Sequence, residues 1–596
     1  TGNIDIDGDI ITQDDDITTG GAGVVTVDAD AGAITMADAT TTTSDTGNIS
    51  YMATTDVALS LLTSTNGALN VTATTGAISD ITNAENANLV TTGTATLMAA
   101  TGIGAAGVAD IDTTIGTLTA TNSTSGDIYV QETSGLIIGG AGVLTQGADG
   151  NINIDVDAGN LDVSSVVTAN GSGMITLNAD AGTVDITAVV SSTTGNIDID
   201  GDIITQDDDI TTGSVGIVTV TAENGLITMS GGTTTTGGGV ALDATGNITT
   251  NIITAIGATN LVNSGNDAIK IDTNTGNVIV NGALTAAASP GLNIDIDPTN
   301  VTINANMTAT GDINVVANTD IDVTAGVTVQ ADSNGGGAGT LTMTADLNNT
   351  GAGNLTAVNT TDLLGAVVDL DGANITTDVV TASTGAVTID ADLAVASTVT
   401  INDDVTAGTS VTINATAAIG SAGQVDINDA AGTVIDANGG NVSITATAAT
   451  TPAGTVNQDV GTDIQATTNV NIDAATLVNL DGTIGAGTAI GDNININQAL
   501  LGAVTIDGNE TANDSINIGQ FANGGAVTIG TNAFLQSDNV GATQSDVIIL
   551  SGGNIAQNSG TIDSNSGGIR IATDGGTVLV VDADSQATAG QFTTEI

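Results

Sequence analysis

Residues Thr1 to Gly20 read TGNIDIDGDIITQDDDITTG, and the same stretch returns without a change from Thr194 to Gly213. An identity of that length, offset by 193 residues, marks duplication of a block that contains whole structural units, so the chain is an array of repeats. Within the block the pattern Gly-x-apolar-x-apolar starts at Gly2, Gly23, Gly47, Gly67, Gly107, Gly126, Gly150 and Gly173, and again at Gly195. With a degenerate start at Ala87 (Ala87-Asn88-Leu89), these positions mark nine intervals and predict about nine coils in residues 1–193.

One coil shows the grammar. After Gly126, Ile128 and Val130 fall on one side of a strand, while Asp127, Tyr129 and Gln131 fall on the other. Nine residues after the first glycine comes a second, Gly135, and the same step links Gly23 to Gly32, Gly67 to Gly76, Gly107 to Gly116, Gly150 to Gly159 and Gly173 to Gly182. Two short strands at fixed spacing, followed by a stretch of variable length, predict an all-β parallel β-helix (β-solenoid) with a period of about 21 residues. Each rung would satisfy its backbone groups through rungs about 4.8 Å above and below, and roughly 28 coils would form an elongated rod. The expected organisation is a first block at 1–193, a partly duplicated second block at 194–299, a more irregular solenoid at 300–490 and C-terminal coils at 491–596.

Composition supports this reading. The 596 residues contain 79 Gly and 3 Pro, so turns are frequent and backbone pairing is scarcely interrupted. Aromatic residues make up 1% and Trp is absent, which predicts a thin core of Ile, Val, Leu and Ala. Charged residues are 11% of the chain and the apolar positions alternate regularly, which argues against disorder.

The net charge of −64 rests on 66 acidic residues against Lys270 and Arg570. Two cations exclude nucleic-acid binding by counterion release, and no apolar run is long enough for a membrane span. Lys270 and Arg570 both occupy outward strand positions, where they are expected to serve as local partners for stacked Asp. Without Cys there are neither disulfides nor thiolate metal sites, and the chain reads as a segment of a longer exported product.

The clearest polar constellation is Asp7-Gly8-Asp9 with Asp14-Asp15-Asp16, repeated as Asp200-Gly201-Asp202 with Asp207-Asp208-Asp209. Carboxylates at alternating positions of a turn suit Ca2+, which takes oxygen ligands at roughly 2.3–2.6 Å. These ten residues are the candidate metal ligands, against the plainer reading of a solvated acidic turn. The Gly-Gly-x-Gly-x-Asp calcium repeat is not met at Gly20-Gly21-Ala22-Gly23-Val24-Val25. Thr40 to Thr43 and Thr233 to Thr236 are read as β-prone strand segments rather than a flat hydroxyl array. No catalytic residues are expected: with no His and two isolated cations, the chain lacks the groups that would hold an anionic sugar beside paired carboxylates.

The Gly-Asn-Ile units, Gly2-Asn3-Ile4-Asp5-Ile6 and Gly150-Asn151-Ile152-Asn153-Ile154, resemble repeats of large bacterial surface proteins of the filamentous-haemagglutinin and autotransporter-passenger type. The resemblance implies a secreted, right-handed parallel β-helix acting as fibre, stalk or adhesin. The expectation is therefore a structural segment of an extracellular or cell-surface filament that self-associates end to end. A surface-layer protein or an adhesin for cell-surface glycans is the alternative, with a polysaccharide-degrading enzyme behind them.

Overall fold

The computed structural model describes residues 2–595 apart from 82–85, 148, 258–260, 262–266, 288–292, 349, 393–395, 419–420, 429–431, 449–452, 488–491, 521–524, 538–545, 565–567 and 581–591. Gly567, which the Gly-x-apolar-x-apolar pattern marks as a coil start ahead of Ile569 and Ile571, lies outside the described residues. The fold is an all-β parallel β-solenoid of about 22 turns of about 24 residues, with no helix among the described residues. By internal packing the chain divides into two compact units, Thr1–Pro298 and Thr299–Ile596.

In the first unit, three strands per turn stack in register on those of the next turn. Strand Ile4–Gly8 pairs with Val25–Ala29, then Ile49–Ala53, then Leu69–Ala73. A second ladder runs through Ile11–Gln13, Ile34–Met36, Val57–Leu59 and Ile78–Asp80. A third runs through Ile17–Thr19, Thr41–Ser44 and Leu61–Ser64 into the start of Leu89–Ala99. All these pairings are parallel, and like side chains lie over one another. Val25, Ile49, Leu69, Ala95 and Leu118 form one inward column, each fully buried.

The ladders then change phase. Strand Ile128–Glu132 receives the second ladder at Ile128, through Ile103, and the third at Val130 to Glu132, which lie on Ile111 to Thr113. Leu136–Thr145 divides the first ladder, with Ile137 and Ile138 over Thr117 and Leu118, and Val143 to Thr145 over Ala120 to Asn122. Gly140 and Gly142, at φ 61° and 89°, turn the chain between the two halves. Glu132, fully buried, closes the merged face by accepting four hydrogen bonds: Thr113 Oγ1 at 2.7 Å, Ile115 N at 2.9 Å, Ser134 N at 3.0 Å and Ser134 Oγ at 2.8 Å. The duplicated stretch consequently sits one face out of phase with its first copy. Ile197 traces back to Ile11, not to Ile4, in eight steps through Ile34, Val57, Ile78, Ile103, Ile128, Ile152 and Ile175.

Those eight steps cover 186 residues, about 23 per turn, which corrects both the nine coils and the period of 21. Two of the counted starts are not rung starts. Gly107 lies in a turn at φ 71° with Val108 53% exposed, and Ala87 leads into the third ladder at Leu89 rather than the first. Gly93 and Gly116, ahead of Ala95 and Leu118, hold the positions that the pattern requires.

The second unit keeps one phase throughout. Its first ladder climbs from Val301 to Val578 in eleven steps over 277 residues, about 25 per turn. The irregular spacing at 300–490 is the same solenoid with longer loops. Asp332 and Asp346, at φ 55° and 68°, anchor two of them, since Gly337 N donates to Asp332 at 2.8 Å, and Thr350 N and Gly351 N donate to Asp346 at 2.9 and 2.7 Å.

Candidate functional site

The glycines that open successive coils at Gly126, Gly150, Gly173 and Gly195 sit one directly over another. A Cβ on Gly173 would lie 2.1 Å from the Gly150 carbonyl oxygen, and one on Gly195 would lie 2.0 Å from that of Gly173, so neither position admits a side chain. Buried hydroxyls complete the corner: Ser192 Oγ donates to Gly173 O at 2.7 Å and accepts from Gly195 N at 2.9 Å. The Asn after the glycine then grips the next turn, with Asn151 Oδ1 accepting Met174 N at 2.9 Å and Asn196 Oδ1 accepting Ile217 N at 2.9 Å. The Gly-Asn-Ile signature is thus a mechanical unit: close approach, inter-rung bracket, inward apolar residue.

The ten candidate metal ligands fall on the solenoid surface. In the first copy Asp7, Asp9, Asp14, Asp15 and Asp16 are exposed, whereas in the second Asp200, Asp202, Asp208 and Asp209 are half-buried and Asp207 is exposed. The third Asp of each triplet brackets the next turn: Asp16 Oδ1 accepts Thr41 N and Asp209 Oδ1 accepts Thr234 N, both at 2.8 Å. The middle Asp closes a local turn, with Asp15 accepting Asp16 N at 2.9 Å and Asp208 accepting Asp209 N at 2.8 Å. Asp207 accepts Ser230 Oγ, Asp202 accepts Asn224 Nδ2 at 2.5 Å, and Asp7 lies beside Asp28 of the next rung. The arrangement presents acceptors to neighbouring amides and hydroxyls; among the described residues no group of three or more acidic side chains is placed to hold a metal ion. An identical device at Asp403-Asp404-Val405, where Asp403 accepts Asp404 N and Asp404 accepts Val434 N at 2.8 Å each, escaped the sequence reading. Its signal was legible, because Asp-Asp-Ile/Val-Thr occurs at all three places.

The strongest electrostatic feature is a column of outward side chains in the first unit: Gln131, Asp155, Asn178, Asp200, Thr221, Asp243, Asp272 and Asp297, one per rung. Its lower part is buffered by amides, since Asn178 Nδ2 donates to Asp155 at 2.8 Å. Partial burial, then the charges of Glu223 and Asp198, raise the Asp200 carboxyl above its ordinary value. Higher up three carboxylates stack in succession, and burial followed by repulsion from Asp295 and Asp272 pushes Asp297 to about 6. Lys270 lies beside this group, 3.7 Å from Asp272, as its outward position predicted. In the second unit Asp371 stacks on Asp390, and burial with repulsion from Asp369, Asp390 and Asp392 also raises it to about 6.

The threonine runs do not form a flat hydroxyl face, because alternate members point inward. Thr42 and Thr235 are fully buried, and each meets a glutamine, Gln13 at 3.1 Å and Gln206 at 3.0 Å. Tyr51 OH joins the first of these, 2.6 Å from both Gln13 Oε1 and Thr42 Oγ1, and burial lifts its titration to about 12. Sequence reasoning also missed the buried Asp80 and Asn88, where Asn88 Nδ2 donates to Asp80 at 2.9 Å and Asn88 Oδ1 accepts Asp112 N at 3.0 Å. Comparison with protein-family models, curated proteins and solved structures gave no match, so the chain is placed by its own geometry, as a parallel β-solenoid.

Proposed function

We propose that this chain is a structural segment of an extracellular or cell-surface filament, and that its work is mechanical rather than catalytic. The observation that carries the reading is the use made of the polar side chains. Asp16, Asp209, Asp404 and the Asn of the Gly-Asn-Ile units each accept the amide of the next rung, so these recurring polar groups join turn to turn. Such stacking distributes load over successive ladders of backbone hydrogen bonds. The acidic surface, with two basic residues in the chain, keeps lateral contacts repulsive and leaves strand edges as the route to self-association.

Electron micrographs of the purified chain test the reading. Fibres, or rods that join end to end, are expected. A two-dimensional lattice that dissolves on chelation would replace it with a surface-layer role, and turnover of a polysaccharide in a reducing-end assay would replace it with an enzyme.

A further inference from the structure

The chain contains five Glu among 66 acidic residues, and among the described residues Glu132 and Glu510 are fully buried. They are held in opposite ways. Glu132 collects four donors. Glu510 occupies an inward position of an apolar column, Ile435, Ile464, Ile484, Glu510, Leu535, Ile562, and neither of its carboxyl oxygens has a hydrogen-bond partner among the described residues.

The strands packed against its own, Asn509–Ala512, are Thr483–Ala486, Phe534–Ser537, Ile494–Ile496 and Ile516–Ile518, and none carries a titratable side chain. The nearest acids along the chain, Asp507 and Asp514, lie in the flanking turns, and neither contributes to its titration. Burial displaces the carboxyl well above the usual range, against a weaker opposing pull from its own backbone amide. A charge there would sit without a counterion, with no donor acting on it beyond its own backbone amide, in a column otherwise made of Ile and Leu, an arrangement that costs far more than burying the neutral acid.

We propose that Glu510 is an acid latch: it is folded in as the neutral carboxylic acid, and transient opening of the stack between Thr483–Ala486 and Phe534–Ser537, in which it ionises, becomes more frequent as the medium turns from acid to neutral. The folded state binds the proton more tightly than the open state. The stabilisation is therefore complete below the pKa of the opened chain and is lost as pH rises towards the folded value, with the opening equilibrium growing by up to about tenfold per pH unit in that window. The latch is independent of whether the chain builds filaments.

Hydrogen exchange on the full chain, corrected for the intrinsic rate, tests it with wild type, Glu510→Gln and Glu510→Leu at about pH 5 and about pH 8. In wild type the amides of 483–486, 509–512 and 534–537 are expected to lose at least about tenfold protection at the higher pH. Glu510→Leu, which continues the apolar column, should abolish that loss while 442–448 behave alike in both proteins. A second readout is spectroscopic: the infrared band of a protonated carboxyl should persist in wild type near neutral pH and be weaker in Glu510→Gln, where the half-exposed Asp297 and Asp371 supply the remainder. Equal pH dependence in wild type and Glu510→Leu, or a band no weaker in Glu510→Gln than in wild type, overturns the proposal.

Discussion

Asp209 is the residue at which the metal and mechanical readings part. As a calcium ligand it would need its charge; as a bracket it needs only an acceptor oxygen for Thr234 N, 2.8 Å away. Asp209→Asn should therefore keep the Thr234 amide protected in hydrogen exchange, with or without chelator, whereas Asp209→Ala should expose it and cost about 1 kcal/mol. Glycine columns give a second contrast. Gly173→Ala drives a Cβ to 2.1 Å from backbone that cannot move independently, and should cost about 1–3 kcal/mol in urea denaturation. Gly231→Ala meets nothing within 4 Å and should leave the midpoint unchanged.

Among the elements, the phase change around Ile128–Glu132 and Leu136–Thr145 is the departure from a simple repeat, and one side chain joins its parts. Glu132→Leu would leave Ile115 N and Ser134 N without their acceptor inside the stack, and should destabilise the first unit by about 3 kcal/mol or more in denaturant titration. The same substitution at Glu510 is expected to stabilise the second unit at neutral pH. Two glutamates of equal burial thus predict opposite signs, because one is saturated with donors and the other sits in hydrocarbon. The phase change also moves the second Asp triplet to a different face from the first, so the duplication repeats local brackets without repeating their position around the coil.

For the whole molecule the charge of −64 makes stability a function of pH. Asp297 and Asp371 both titrate at about 6 in the folded state, against an ordinary value of 3.8. The native state holds these protons more tightly than the unfolded chain, so their stabilisation is present below about pH 4 and is lost as pH rises through about 6. Melting scans should accordingly give a higher Tm at about pH 5 than at about pH 8, and Asp297→Asn with Asp371→Asn should flatten the difference. Both groups are half-exposed, so the effect should shrink in high salt.

The fold class was legible in the sequence because it rests on period-2 alternation and on glycine, and both act within a few residues: Ile128 and Val130 point inward in any strand that contains them. The brackets were half legible. Asp-Asp-Ile/Val-Thr and Gly-Asn-Ile stand in the sequence, but their acceptor role depends on which amide lies one rung away. That pairing joins residues 21 apart at Ile4 and Val25 but 34 apart at Ile321 and Leu355, because loops between rungs lengthen at little entropic cost. The number of residues per turn, the one-face phase change, the acid column that climbs to Asp297 and the burial of Glu510 all follow from that stacking register. Local pattern determined that the strands exist and which side faces the core, and only the tertiary structure decided which strands meet.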